Sequence, residues 1–422
     1  MDEYQEINNT YIATPIPDPK EKVEVEIGDV KKLDFYPQVK VKKWDNEVNY
    51  SHRLVHDEED PTVSLEDNKI IWEGERKRVE FYNIAPNDEH EEGAYEMNII
   101  EKVKHPTNKT QLTINTKGLE FFKLKSVTDD YELGQVVEWG DEIWTVGKIT
   151  ENEVFDTEGN LKSHSDINSI GGYVAYYKDC PLNIKGGRLY RDGCAGFITR
   201  PKIITAKGQE VWGTQDLVLN DDGETGILTI TTPEEIWADE TNYPLQIDPT
   251  FGFSGTALSE NVSANAFSAY FVSNNETGTL TDLTFKVAKG TGNNLSAALY
   301  AEGSVSPTTL LAIQSSVNSI PSGNNFIDVP MNSYAIAANT GYWLTAKSDG
   351  TVGCWFNTVS NPPNYKYLLG GITYLSWPNP FSGGKSGGGQ YRGICYATYT
   401  ASGGFVQKLK GVSSAKGMSK FK

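Results

Sequence analysis

Histidine is scarce in this chain of 422 residues and confined to one side of it, at positions 52, 56, 90, 105 and 164. Beyond residue 164 no imidazole is at hand to activate a nucleophile. Cysteine is equally thin. Cys180, Cys194, Cys354 and Cys395 are too few for a disulfide scaffold, and their spacings match no zinc pattern, so buried free thiols are the expectation. No run approaches the roughly 18 apolar residues of a membrane span. The opening MDEYQEINNTYIATP has neither a basic region nor an apolar core, which predicts no secretory signal. Helical periodicity is nearly missing too. The one helix-like window is TPEEIWADE (232–240), with Thr232 as N-cap and Pro233 at the first helical position, enough for one or two turns.

Acid is abundant, and unevenly placed. Up to Thr250 there are fifty Asp and Glu against twenty-seven Lys and Arg; after it, six against eleven, so the net charge swings from −23 to +5. An acidic N-terminal side argues against nucleic acid as its partner, because phosphate binding is driven by clustered cations. The closing FVQKLKGVSSAKGMSKFK (405–422) is the exception, basic without a single acid. It reads as a solvated tail or as a tether to an acidic surface, such as that of a neighbouring copy.

Strand grammar dominates both sides. In VEVEIGDV, Val23, Val25 and Ile27 alternate with Glu24 and Glu26, a period of two that leaves one face wet. Further strands are predicted at 39–44, 70–74, 78–84, 95–100, 111–116, 136–140 and 142–146, with turns such as APND and HPTN between them. On the C-terminal side LTFKV (283–287) sets Leu283, Phe285 and Val287 on one face. Similar strands are predicted at 295–300, 326–331, 341–346, 352–357 and 394–399. Many short strands without crossover helices predict an all-β protein: a β-rich N-terminal module followed by an antiparallel β-sandwich, most simply a jelly roll.

The two sides meet at YPLQIDPTFGF (243–253). Leu245 and Ile247 alternate with Gln246 and Asp248, while Pro244 and Pro249 fix φ near −65°; the segment reads as a last strand with a stiff exit. Tyr243, Pro244, Asp248, Pro249, Phe251 and Phe253 are the expected interdomain junction, with Asp248 closing its own turn and the rings packed against it. The domains expected are an arm (1–30), an acidic module (31–253, divisible near 150–170), a sandwich (254–402) and a basic tail (403–422).

Candidate chemistry is sparse. His52 and His56 lie four apart in YSHRLVHDEED, beside four acids, which suits either a metal site or a solvated loop. FSGGKSGGG (381–389) contains Gly-Lys-Ser, but Asn379 stands where a phosphate loop needs glycine, and more glycines follow where its helix should begin. NDDGETG (220–226) is either an acidic calcium-type turn or a plain hairpin turn. Acid pairs such as Glu91/Glu92, Asp129/Asp130 and Glu234/Glu235 read as wet surface, since a glycosidase needs two acids converging across a cleft. No catalytic residue, metal ligand or cofactor is assigned. The best recognition candidate is NPPNYKYLLGGITYLSWPNPFSGG (361–384), whose Tyr365, Tyr367, Tyr374, Trp377 and Phe381 would either stack on sugars or a protein partner, or fill one end of the sandwich.

KWDNEVNYSHRL (43–54), KGLEFF (117–122), GGYVAYYKD (171–179), ITRPKIITAKGQEVWG (198–213) and ILTITTPEEIWADETNYPLQIDPTFGF (227–253) resemble uncharacterised structural proteins of bacteriophages and environmental viruses. In that family a β-rich module ends in this Tyr-Pro to Asp-Pro-Thr-Phe-Gly signature and precedes an interchangeable β-sandwich. The resemblance covers roughly 35–253 and implies an architectural role at the virion surface, without transferable catalytic residues. The expected partners are other virion proteins and copies of the chain itself, with neither nucleic acid nor membrane. The alternatives are an adhesin that binds a host-surface glycan through the aromatic loop and, less favoured, a glycoside hydrolase or lyase.

Overall fold

The computed structural model describes residues 4–13, 23–66, 69–84, 94–139, 142–178, 184–185, 188–189, 194–248, 250–252, 259–263, 266–272, 277–301, 307–338, 340–358, 366–369, 372, 374–381, 385–389, 391–393 and 395–401. The fold is all-β, with antiparallel pairing throughout the described sheets. The strand Lys109–Lys117 shows why: its nine residues alternate exposed and buried without a break, so Leu112 and Ile114 face inward while Thr113 and Asn115 face water. Among the described residues the only α-helix is Glu234–Trp237. Its N-cap is Pro233, one residue later than expected, with no side-chain cap bond; the fixed proline φ and the acids Glu234 and Glu235 in the first turn start it instead.

Two sheets form the first body. One has eight strands, in the order Gln5–Ile7, Thr10–Ala13, Glu24–Ile27, Gln38–Lys43, Val48–Leu54, Lys109–Lys117, Thr225–Thr231 and Thr214–Leu219. The second, of eleven strands, runs Leu119–Lys123, Tyr173–Tyr177, Cys194–Ile198, Thr250–Gly252, Ala94–Glu101, Leu245–Asp248, Lys202–Ile204 and Glu210–Trp212, and continues from Ala94–Glu101 through Lys77–Ile84 and Lys69–Glu73 to Thr62–Glu66. They share one apolar core. Val25, Val41, Tyr50, Leu112 and Leu228 enter it from the first sheet, and Trp72, Phe81, Tyr95, Met97 and Ile247 from the second.

Two further sheets share a second core, with Leu283, Phe285 and Val287 of strand Gly278–Lys289 set against Leu295, Ala297 and Leu299 of strand Asn294–Ala301. The Phe267 and Phe285 rings meet edge-on at 5.5 Å between them. Consecutive strands change sheets: Ala266–Val272 lies in the seven-stranded sheet, Gly278–Lys289 in the eleven-stranded one, and Asn294–Ala301 back in the first.

The larger of these sheets reaches back into the acidic side. Strands Val136–Trp139, Glu142–Ile149, Glu153–Asp156 and Leu161–Ser165 form a meander, and its last strand pairs Ser163 with Asn261 and Ser165 with Ser259. Ser259–Ser263 in turn pairs with Val352–Thr358. Sequence order placed the meander with the acidic module; strand pairing carries it into the sheet of the C-terminal side. Val137, Trp144, Val146 and Val154 belong to the second core. The chain therefore passes between the two bodies three times, near 124–126, 166–172 and 252–259, and a single stiff exit is not what joins them.

Candidate functional site

The aromatic segment was the leading recognition site. Two of its rings, Trp377 and Phe381, face the fold. Trp377 and Phe381 pack on Ala298, Tyr300 and Trp343, covering the side of the seven-stranded sheet that faces away from the shared core. Trp377 Nε1 donates to Gln314 Oε1 (3.0 Å), the Tyr300 hydroxyl donates to the Pro378 carbonyl (3.2 Å), and the Leu310 and Phe381 backbone N–H groups bond Asn379 Oδ1 and the Thr308 carbonyl. The Tyr300 and Phe381 rings stand edge-on at 5.7 Å. Rings held this way serve packing, because stacking on a sugar needs an open face. Tyr374 is half-buried. Tyr367 lies in strand Lys366–Leu369, and Tyr365 falls outside the described residues.

The expected junction sits inside the first body. Tyr243 packs on the first core, donates its hydroxyl to the Trp237 carbonyl at 3.3 Å, and has its pKa pushed up to about 12 by burial. Pro244 is exposed. Leu245–Asp248 and Thr250–Gly252, which holds Phe251, pair with the same neighbour, Ala94–Glu101, in one continuous register. Position 249 marks a change of partner on the opposite edge, from Lys202–Ile204 to Cys194–Ile198. Asp248 is thus a strand residue and not a turn cap; Pro249 and Phe253 lie outside the described residues.

That strand helps to build a polar sheet face. Val79, Phe81, Tyr95, Met97, Ile99, Leu245 and Ile247 point into the core, so Arg78, Glu80, Tyr82, Glu96, Asn98 and Asp248 share the opposite face. Glu80 accepts from Arg78 (2.6 Å), from Lys69 (3.4 Å) and from the Tyr82 hydroxyl. Its carboxyl pKa is lowered, since these partners outweigh the effect of burial. Glu96 behaves oppositely. Burial and the adjacent Asp248 carboxylate raise its pKa. Acid-pair reasoning from sequence missed them because they lie 152 positions apart and meet only through sheet register.

The histidine pair does not converge. His52 points into the first core with Tyr50, their rings 5.4 Å apart, whereas His56 lies beyond the strand end, 4.7 Å from the Trp72 ring. Desolvation lowers the pKa of both, that of His52 to about 3. At 220–226 Asp222 accepts from the Glu224 and Thr225 N–H groups and from the Thr225 hydroxyl, closing a hairpin. Lys385 and Ser386 begin a strand, Lys385–Gly389. Cys194, Cys354 and Cys395 are buried and form no disulfide with one another among the described residues, and Cys180 lies outside the described residues. Among the described residues no three His, Cys, Asp or Glu side chains gather as a metal cluster, and no helix is long and apolar enough to cross a membrane.

No family model matches the chain, and no curated protein matches it. Chains of solved structures do match. One is the crystal structure of the GH31 α-xylosidase from Xanthomonas citri, 8% identical, with 94% of this chain and 38% of that chain covered at a TM-score of 0.14. This chain spans less than two fifths of that enzyme, and a likeness at that score carries no argument about fold or activity.

Proposed function

We propose that this protein is a non-enzymatic building block of a virion surface, of the decoration or fibre type, which works through shape and through contacts with copies of itself and with other virion proteins. The observation that carries the reading is the meander Val136–Ser165. By extending the sheet of the second body it fastens the two bodies at three chain passages, which suits a part that bears load more than one that opens and closes on a substrate. The meander also offers a way to assemble. Its outer strand Val136–Trp139 has one neighbour in its sheet among the described residues; Val136 on it is 60% exposed, and Leu133 just before it and Ile143 on the adjoining strand are 70% and 71% exposed. An apolar strand edge of this kind is a template for pairing with another chain.

Sedimentation of the purified chain tests the reading. We expect concentration-dependent oligomers, reduced by Ile143→Asp with the fold intact by circular dichroism. A wild-type chain that stays monomeric at all concentrations overturns the proposal.

A further inference from the structure

Two cysteines of the second body meet where three strands come together. Cys354, in strand Val352–Thr358, pairs with Val287, and Cys395, which opens strand Cys395–Ala401, pairs with Phe285; both partners belong to Gly278–Lys289. Strand Asn324–Pro330 occupies the other edge at both positions, with Ile327 against Phe285 and Asn325 against Val287, so the two cysteines lie along one edge, two residues apart. Two residues of strand span about 6.5 Å, within the Cα separation of about 4.4–6.8 Å that a disulfide bridges. A second register agrees. Phe356 pairs with Gly393, and the same antiparallel count carried on by two residues sets 354 opposite 395. Both side chains enter the second core, Cys354 at 1% and Cys395 at 2% exposure, and so lie on the same side of the sheet. Cys194 sits in a different cluster, in the first body.

We propose that Cys354 and Cys395 form a disulfide when the chain meets an oxidant, a staple that the assembly reading does not require. The oxidant is a small-molecule disulfide. One protein thiolate attacks a sulfur of the reagent and releases a thiol; the second displaces the other half from the mixed disulfide, so two protein thiols are oxidised to one S–S bond and the reagent leaves as two thiols. Buried thiols are inert in a closed fold, so the exchange runs while strand Cys395–Ala401 is undocked, during folding or local opening. In a reducing cytoplasm the pair stays unlinked, and transfer to an oxidising medium closes it. The bridge spans 41 positions of chain around the segment 361–384, whose Trp377 and Phe381 pack on Ala298, Tyr300 and Trp343, and it fixes both ends of that segment.

The test uses the full chain, purified with reductant, freed of it and then refolded in oxidised glutathione. Non-reducing peptide mapping by mass spectrometry should find the peptides that carry Cys354 and Cys395 linked, and the oxidised chain should unfold about 5–10 °C above the reduced one. Reductant should reverse both. Cys395→Ala should abolish the link and the gain in Tm on oxidation, whereas Cys194→Ala should keep both. Each variant is compared with its own reduced form, so a loss of packing alone does not mimic the result. The proposal is overturned by a wild-type chain in which both thiols can still be alkylated after this treatment. A map that joins either cysteine only to glutathione, to Cys180 or to Cys194 overturns it as well.

Discussion

His52 makes the first body sensitive to acid, and the size of the effect follows from its place in the sheet. Its cross-strand neighbours are Val39 and Ile114, the Tyr50 ring lies 5.4 Å away, and neither ring nitrogen has a hydrogen-bond partner among the described residues. Desolvation holds the folded-state pKa near about 3, against an ordinary value of 6.5. The unfolded chain takes up a proton below pH 6.5 while the folded chain does not until about pH 3, so folding stability falls as pH drops through that window. Two pH units, from 6.5 to 4.5, at about 1.4 kcal/mol each amount to about 3 kcal/mol. With a urea slope of roughly 2–3 kcal/mol per molar, the wild-type midpoint should fall by about 1 M or more over that range. His52→Leu should remove this decline and raise stability at neutral pH by about 1–3 kcal/mol, because two orphaned ring nitrogens go with the imidazole. Urea titrations of both proteins by tryptophan fluorescence, from pH 7.5 to 4, measure the difference. A wild-type minus variant difference that does not change with pH would refute the reasoning.

Trp377→Ala should cost about 2–4 kcal/mol through lost packing on Tyr300 and Trp343 and the lost bond to Gln314, seen as a lower Tm for the second body; unchanged stability would return the ring to a recognition role. At Gly147 a Cβ would stand 2.5 Å from the Asp156 carbonyl and 2.6 Å from Thr157 Cα. Gly147→Ala should therefore disrupt the meander and speed proteolysis of the second body, a loss that would not appear if the meander contributed nothing to that sheet. Lys77 and Glu101 are a buried pair at 3.6 Å, with the Thr110 hydroxyl donating to Glu101. Glu101→Gln should cost about 3–5 kcal/mol by stranding a buried ammonium, and the double change Lys77→Met with Glu101→Leu should recover most of it in chemical denaturation.

The elements that were legible in the sequence are those with a clean two-residue period. Leu283, Phe285 and Val287 read as one face and are all buried; the strands around 25, 41, 81, 97 and 114 were visible for the same reason. Tyr173–Tyr177 and Cys194–Ile198 were not named as strands, because every residue in them is buried and no alternation marks them. A small second cluster of Leu124, Val174, Tyr176, Cys194 and Phe197 covers the outer side of the sheet there. The pairing of Leu161–Ser165 with Ser259–Ser263 was out of reach, since nothing local in either strand names a partner about a hundred residues away. At Asp248 the local reading of an exit was physically sound, but the residue belongs to a strand whose pairing with Ala94–Glu101 only sheet register reveals. The aromatic segment shows the limit of composition. Rings among prolines and glycines signal a rigid loop, and only packing says whether they face solvent or the sheet.

Negative-stain electron microscopy of the purified full chain tests the central claim most directly. The account predicts particles of repeating symmetry built from rigid two-lobed subunits, with no turnover of polysaccharide in the same preparation. Monomers whose two lobes swing freely, or hydrolysis of a glycan by the pure protein, would contradict it.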